Sequence, residues 1–283
     1  MVLGAGDVGT AVAHALFLQG HAVLLVEQAQ PTAPRRGMCW VDAVFDGAAE
    51  VAGVRAMRVF RPDEAAQAFA CRAWIPLIVA PDLPRWLRLL DARALVDARL
   101  RKHSAVQDDL HALCEPQTIT IGIGPGYTAG YNADLVIESA WGDDLGRVIH
   151  QGTARELAGE PRPILGVGRE RLVYAPQAGV FVSDRRIAEA VQAGDVIGHL
   201  LTAEGERVPL HAPLDGVLRG LTRPGLTVQR KTKLAEVDPR GNPALCFGLG
   251  ERPMRIAQGV ARALDPWPRA ASADLPAARP HAA

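Results

Sequence analysis

The chain is poor in the residues from which many protein sites are built. Of its 283 residues only three are lysine, Lys102, Lys231 and Lys233, and only four are cysteine, Cys39, Cys71, Cys114 and Cys246. The cysteines lie far apart and form no Cys-x-x-Cys pair, which argues against a disulfide framework and a cysteine zinc site and fits a reducing cytoplasm. The eight histidines make no His-x-x-Glu or His-Glu-x-x-His ligand pair, and there is no Gly-x-Ser-x-Gly elbow. Hydrolytic metalloenzymes and serine hydrolases are therefore disfavoured, and no metal is expected. An excess of one charge is missing too: Lys+Arg and Asp+Glu balance at 31 each, so no global field draws the chain to nucleic acid or an anionic membrane. Residues 11–26 are apolar, but no basic segment precedes them and His14, Gln19, Gly20 and His21 interrupt them. Neither secretion nor membrane insertion is expected.

What is present is a globular composition, 48% hydrophobic, arranged in two patterns. From residue 1 to about 160, strands alternate with helices, which predicts a Rossmann-like α/β domain with a mostly parallel sheet. Val2-Leu3 is the stub of a strand, Val8, Val12 and Leu16 recur at helical spacing up to Gly20, and His21 to Glu27 reads as a second strand. Strands usually run about five residues, so so short a stub suggests a start a few codons upstream. Residues 41–60 predict a hairpin excursion turning at Asp46-Gly47. Pro62 and Asp82 open helices, and strands follow at 75–80, 94–98, 118–123 and 135–138. From 161 to 245 the pattern becomes short strands with turn signals. Residues 246–264 predict a strand and a helix with Ile256, Val260 and Leu264 on one face, and the Pro/Ala-rich residues 265–283 predict a disordered tail.

Two glycine motifs carry the candidate site. Gly4-Ala5-Gly6-Asp7-Val8-Gly9 has the G-x-G-x-x-G spacing between a strand and a helix. There the first glycine permits a tight turn, the second lets a pyrophosphate approach the backbone, and the third lets helix and strand pack closely. The helix N-terminus offers free N–H groups to the phosphate. Glu27, ending the next strand, is placed to accept from a ribose, whereas Arg35 and Arg36 just beyond would favour a 2′-phosphate. Against this, the glycines and Glu27 can serve a strand–helix turn and a solvated strand end alone. The second motif, Gly122, Gly124, Gly126, Thr128 and Gly130 around Pro125 and Tyr127, follows a strand and offers backbone N–H groups to a second anion, or makes a plain turn. Asp97 and Lys102 share that edge. Asp97 is more simply read as capping or pairing locally.

The 161–245 segment is internally repeated. Val173-Tyr174-Ala175-Pro176-Gln177-Ala178-Gly179-Val180 returns as Leu210-His211-Ala212-Pro213-Leu214-Asp215-Gly216-Val217, and Val191, Ile197 and Leu200 match Val228, Leu234 and Val237. Two such halves resemble the barrel-sandwich hybrid of biotinyl and lipoyl domains, against the alternative of a β-sandwich with a chance repeat. In those domains the modified lysine sits on the hairpin joining the halves. Here that segment, Leu201 to Pro209, holds no lysine, and Lys231 and Lys233 align with Gly194 and Val196, so no biotin or lipoate is expected.

The glycine turn, the Gly122–Gly130 loop, Leu145-Gly146-Arg147-Val148-Ile149, the repeated Ala-Pro-x-x-Gly and Val237-Asp238-Pro239-Arg240-Gly241 together resemble one family over about residues 2–264. It is the YqeB-type accessory proteins of the selenium-dependent molybdenum hydroxylase system. The resemblance implies a cytoplasmic role in maturing or supporting a molybdenum hydroxylase of the xanthine dehydrogenase kind, with that enzyme as partner. It leaves open selenium dependence and whether this chain catalyses anything. One departure stands out: the family tends to carry Arg-Gly-His where this chain has Trp141-Gly142-Asp143, so a basic ligand contact is expected to be lost. The expected ligand is NAD(P), another nucleotide or a pterin-type phosphate. Two further readings stay open, a free-standing NAD-linked oxidoreductase and a non-catalytic scaffold with a vestigial nucleotide site. The oxidoreductase needs a proton-transfer residue beside the nicotinamide, and the sequence offers none that stands out.

Overall fold

The computed structural model describes residues 1–79, 82–101, 106–156 and 161–266. The chain divides into two units, one from Met1–Ala29, Cys39–Ala158 and Leu249–Ala283, the other from Gln30–Met38 and Gly159–Gly248. Two segments fall outside a simple division of the chain near residue 160. Gln30–Met38 goes with the second unit, and the last helix goes with the first.

The first unit is built on β1 (Val2–Leu3), β2 (Leu25–Glu27), β3 (Ala48–Val51), β4 (Val54–Arg58), β5 (Ile75–Val79), β6 (Ala94–Asp97), β7 (Ile119–Ile123), β9 (Leu135–Ile137) and β10 (Val148–Ile149), with β8 (Thr128–Ala129) paired to β11 (Gly152–Thr153) apart. The large sheet runs β10-β9-β7-β6-β1-β2-β5-β4-β3 and is parallel except at its two edge strands. Its inner strands read as apolar runs such as Ile75–Val79 and Ile119–Ile123, as a sheet buried on both faces demands. From β1 the chain moves outward through β2 on one side and returns to pair β6 on the other. The order therefore reverses at β1, where open α/β sheets hold ligands beyond the strands' carboxyl ends.

Helix α1 (Asp7–Leu18) buries Val8, Val12 and Leu16 as their spacing predicts. Gly20, at φ +87°, turns the chain out of it and bonds back to Phe17. The hairpin exists, but its turn is not Asp46-Gly47. Those residues end a short helix α2 (Ala43–Asp46), with Gly47 left-handed and donating to Ala43. The strands instead turn at Ala52-Gly53, both at positive φ as a two-residue hairpin requires. An alanine so placed is uncommon, and the better Asp-Gly signal lay six residues earlier.

Helix α3 (Pro62–Cys71) opens at its proline, and α4 (Leu83–Leu89) is capped by Asp82, which accepts from Arg85 N–H at 3.0 Å. The last helix, α5 (Glu251–Leu264), buries Ile256, Val260 and Leu264 and packs on α1, β9 and β10. It lies so close to the Gly146 loop that a Cβ at Gly259 would stand 2.3 Å from the Gly146 carbonyl oxygen. The strand expected at 246 is a 3-10 turn, Pro243–Cys246, because Asn242 accepts from Ala244 N–H and Pro243 favours helical φ. The tail expected to be disordered lies outside the described residues beyond Pro266.

The second unit holds β12 (Leu172–Tyr174), β13 (Gly179–Val182), β14 (Ala190–Val191), β15 (Val196–Leu201), β16 (Arg207–His211), β17 (Gly216–Leu221), β18 (Thr227–Val228) and β19 (Lys233–Asp238). They form two four-stranded antiparallel sheets, β12-β19-β17-β14 and β16-β15-β13-β18. Replacing each strand by its counterpart in the other half turns one order into the other, so the repeat in sequence is a repeat in topology. The turn glycines repeat for a packing reason. A Cβ at Gly179 would meet the Leu201 carbonyl oxygen at 2.7 Å, and one at Gly216 the equivalent Asp238 oxygen at 2.3 Å. Val191, Ile197 and Leu200 share one buried cluster with Val228, Leu234 and Val237.

Candidate functional site

The first glycine motif sits at the carboxyl end of β1, and its three glycines meet different demands. Gly4, at φ +94°, bonds the Val26 carbonyl at 2.8 Å, and a Cβ there would press on the Arg99 backbone at 3.3 Å. Gly9 lies against the turn itself: a Cβ would fall 1.8 Å from the Gly4 carbonyl oxygen. Gly6 is different. It caps α1 in ordinary extended geometry, φ −66° and ψ −177°, and a Cβ would meet nothing within 4 Å. Neither conformation nor packing calls for glycine at that position.

Glu27 holds the turn from below. Its Oε2 accepts from Ala5 N–H at 2.7 Å and its Oε1 from Gln28 N–H at 2.8 Å. Burial pushes this carboxyl above its ordinary range, against the lowering effect of those two amides and of the Arg99 charge. Thr10 completes the frame, donating to Ala5 O and accepting from Trp40 N–H, each at 3.0 Å.

Asp97, at the end of β6, is buried and pairs locally. Arg99 grips it, Arg101 approaches at 3.5 Å, and Tyr127 donates its hydroxyl at 2.6 Å. Burial alone would raise this carboxyl, but the Arg99 and Tyr127 bonds and the Arg99 charge hold it below the usual range. Burial and the Asp97 charge push the Tyr127 phenol upward. Asp97 therefore ties the second glycine loop to the edge that carries the first.

That second loop is shaped by its own packing. A Cβ at Gly122 would enter the Tyr127 ring at 2.2 Å, and Gly124, Gly126 and Gly130 all have positive φ. The amides of Gly124, Thr128 and Gly130 bond Ile137 O, Asn132 Oδ1 and Ala133 O. Asn132 also donates to Gln107 O and Gly126 O, locking the loop. Three amides offered by the sequence to an anion are thus engaged within the protein.

The structure brings Gly4, Gly6, Gly9, Glu27 and Asp97 to one sheet edge, with Gly122 and Gly124 beside it through Tyr127. Lys102 lies outside the described residues. The cations present are Arg99 and Arg101, which sequence reasoning passed over. Their signal was position alone, two and four residues past Asp97 at the end of the strand beside β1. Arg35, read as a 2′-phosphate partner, belongs to the second unit and is forked on Glu236. A groove of about 690 Å³ elsewhere in the first unit is lined by Asp144, Arg147, His150, Arg255 and Arg262 among others. Asp143, Leu145 and Val148 line it as well, but no residue of the two glycine motifs, nor Glu27 or Asp97, does. Among the described residues, no His/Cys/Asp/Glu group of three or more is placed to hold a metal, and no helix is long and apolar enough to cross a membrane.

No protein-family model matches the chain. Likenesses to solved structures are slight. A succinylglutamatedesuccinylase/aspartoacylase from Rhodobacter sphaeroides aligns over 24% of this chain and 21% of that one at 27% identity and TM-score 0.23. The product-bound ectoine utilization protein EutE (DoeB) from Ruegeria pomeroyi aligns over 76% and 56% at 14% identity and TM-score 0.24. In sequence, the chain is 36% identical over 264 residues to the uncharacterized protein YqeB of Escherichia coli (strain K12), covering 93% of this chain and 47% of that protein. That likeness supports a YqeB-type chain, one that spans about half the length of the curated relative it matches.

Proposed function

We propose that this chain is an accessory protein for a molybdenum hydroxylase of the xanthine dehydrogenase kind, and that its first unit binds a nucleotide or pterin-type phosphate at the Gly4–Gly9 turn. The observation that carries the ligand is Gly6. Gly4 and Gly9 are explained by φ and by packing, but the space where a Gly6 Cβ would stand is empty. A pyrophosphate lying on the backbone at the start of α1 is the reason a Rossmann-like turn keeps glycine there. Arg99, packed on Gly4 and forked on Asp97, borders that place, and Glu27 holds the Ala5 amide in position. The accessory role rests on the YqeB likeness. The second unit is read as a barrel-sandwich hybrid acting as a docking element, on the strength of its exchanged sheets.

The residues fit such a ligand by leaving backbone room for it and by rigidifying the turn. They do not supply an evident acid or base. Tyr127, the hydroxyl tied to this edge, donates to Asp97, and its pKa is raised further above the physiological range, which suits a structural hydroxyl better than a proton donor.

Calorimetry of the wild type and Gly6→Val against NAD(H), NADP(H) and a pterin phosphate tests the ligand. Binding of one of them by the wild type, and its loss in a folded Gly6→Val, is the expected result. No binding at about millimolar concentration overturns it. The role is tested by deletion: host molybdenum hydroxylase should lose specific activity at unchanged polypeptide level, and unchanged activity contradicts the proposal.

A further inference from the structure

The second unit contains a buried charge cluster that its fold does not require. Glu236 and Asp238, both on β19, are fully buried. The Gln30–Met38 segment crosses β17, with Leu221 N–H bonded to Pro34 O at 2.7 Å, and delivers Arg35 onto Glu236 in two bonds of 2.9 and 3.0 Å. Arg240 grips Asp238 in the same way, at 2.9 and 2.5 Å. Two carboxylates are thereby neutralised by two guanidinium forks.

Two more arginines enter the cluster and are left over. Arg219 Nη1 stands 3.8 Å from Glu236 and 3.6 Å from Asp238, beyond hydrogen-bond reach. Among the described residues its one hydrogen-bond acceptor is the Met38 sulfur at 3.9 Å, its Nε has none, and its side chain is 13% exposed. Arg171, 4% exposed, donates to Gly168 O, while its Nε lies 3.5 Å from Glu236 without a hydrogen bond. Burial and the adjacent charge of Arg35 lower the Arg219 pKa despite both carboxylates. A buried cation whose donors are unmet is costly unless an anion answers them.

Two features of the strand indicate that this is a placed group. The β17–β19 register slips between Leu218 and Gly220, so Arg219 is the bulged residue, and bulges re-aim side chains. The repeat supplies the control. At the same positions of the other half stand Val182, His199 and Leu201 in place of Arg219, Glu236 and Asp238. The same sheet forms there with no such cluster.

We infer that Arg219, between the Arg35 and Arg240 forks, and Arg171, beside Glu236, bind a compact dianion, a phosphate group either free or on a monoester. Among the described residues, these four guanidinium groups against two carboxylates leave two positive charges, which a dianion balances. The cluster opens to solvent through Arg35, 26% exposed, and Arg240, 36% exposed. This site is separate from the Gly4–Gly9 turn and does not depend on a nucleotide there.

The test titrates the full chain with inorganic phosphate, and in a second arm with ribose 5-phosphate, at constant ionic strength, following heat and thermal midpoint. The wild type should bind and be stabilised. Arg219→Met should lose at least about tenfold in affinity and have a phosphate-free midpoint no lower than that of the wild type, because the carboxylates retain their forks and an unanswered buried cation is removed. If that variant does not fold, Arg219→Lys, which keeps charge and stem, should fold and bind more weakly. Gly6→Val should bind phosphate like the wild type. The two arms tell free phosphate from a monoester by which binds tighter. Equal binding in wild type and the Arg219 variants, loss of binding in Gly6→Val, or no binding up to about 10 mM overturns the inference. The second of these outcomes would leave the glycine-turn reading standing.

Discussion

Replacing Gly9 and Gly6 in turn by alanine separates structure from function within six residues. Gly9 is inside α1, so alanine there recovers about 1 kcal/mol of helix propensity. Against that gain, its Cβ would fall 1.8 Å from the Gly4 carbonyl oxygen and 2.8 Å from the Gly4 carbonyl carbon. Those atoms are backbone, fixed by the Gly4 bond to Val26 at 2.8 Å, so no rotamer change relieves the overlap. Overpacking of that kind costs about 3 kcal/mol at the upper end of its usual range, leaving a net loss of about 2 kcal/mol. For a unit of this size that is a fall of about 4–8 °C in thermal midpoint. Gly6→Ala meets no atom within 4 Å at a φ alanine accepts, and should stay within about 0.5 kcal/mol of wild type. Urea and thermal unfolding followed by circular dichroism measure both. Equal stability of the two variants, or Gly6→Ala the worse, refutes the division of roles drawn from the turn.

Asp97→Asn should destabilise the first unit by about 3 kcal/mol in urea unfolding, because it strips Arg99 and Tyr127 of a buried ionised partner. Glu236 is held at about 2 by Arg35, against the effect of its burial, and its ordinary value is 4.5. Its stabilisation is therefore complete above about pH 5 and drains away as pH falls toward 2, about 2 kcal/mol between pH 6 and pH 3. Glu236→Gln should flatten that part of the acid limb, and an unchanged limb contradicts the assignment. The Leu201–Pro209 hairpin has no lysine, so intact mass after co-expression with biotin and lipoate ligases should equal the unmodified chain. An added biotinyl or lipoyl mass revives a carrier role.

Much of the architecture was written in local pattern. Val8, Val12 and Leu16 marked α1, Asp82 marked the cap of α4, and the Ala-Pro-x-x-Gly repeat marked two sheets that exchange under it. Errors arose where two local signals competed or where the cause was distant. Asp46-Gly47 outranked Ala52-Gly53 as a turn signal, although the hairpin uses the latter. The tie of Gln30–Met38 to the second unit depends on Arg35 meeting Glu236, 201 residues away, which no periodicity reveals. In the site, strand ends placed Gly4, Glu27 and Asp97 on one edge. The division of labour among the glycines was invisible, since φ at Gly4 and the overlap at Gly9 exist only in three dimensions. Arg99 was missed because it gains meaning only by lying on Gly4.

The central question is whether the Gly4–Gly9 turn holds a phosphate-bearing cofactor. The most direct measurement is mass spectrometry of the small molecules released when freshly purified protein is denatured, made on wild type and Gly6→Val side by side. A dinucleotide, another nucleotide or a pterin-type phosphate should be released by the wild type and be absent from the folded variant. The same ligand released by both proteins would contradict that expectation.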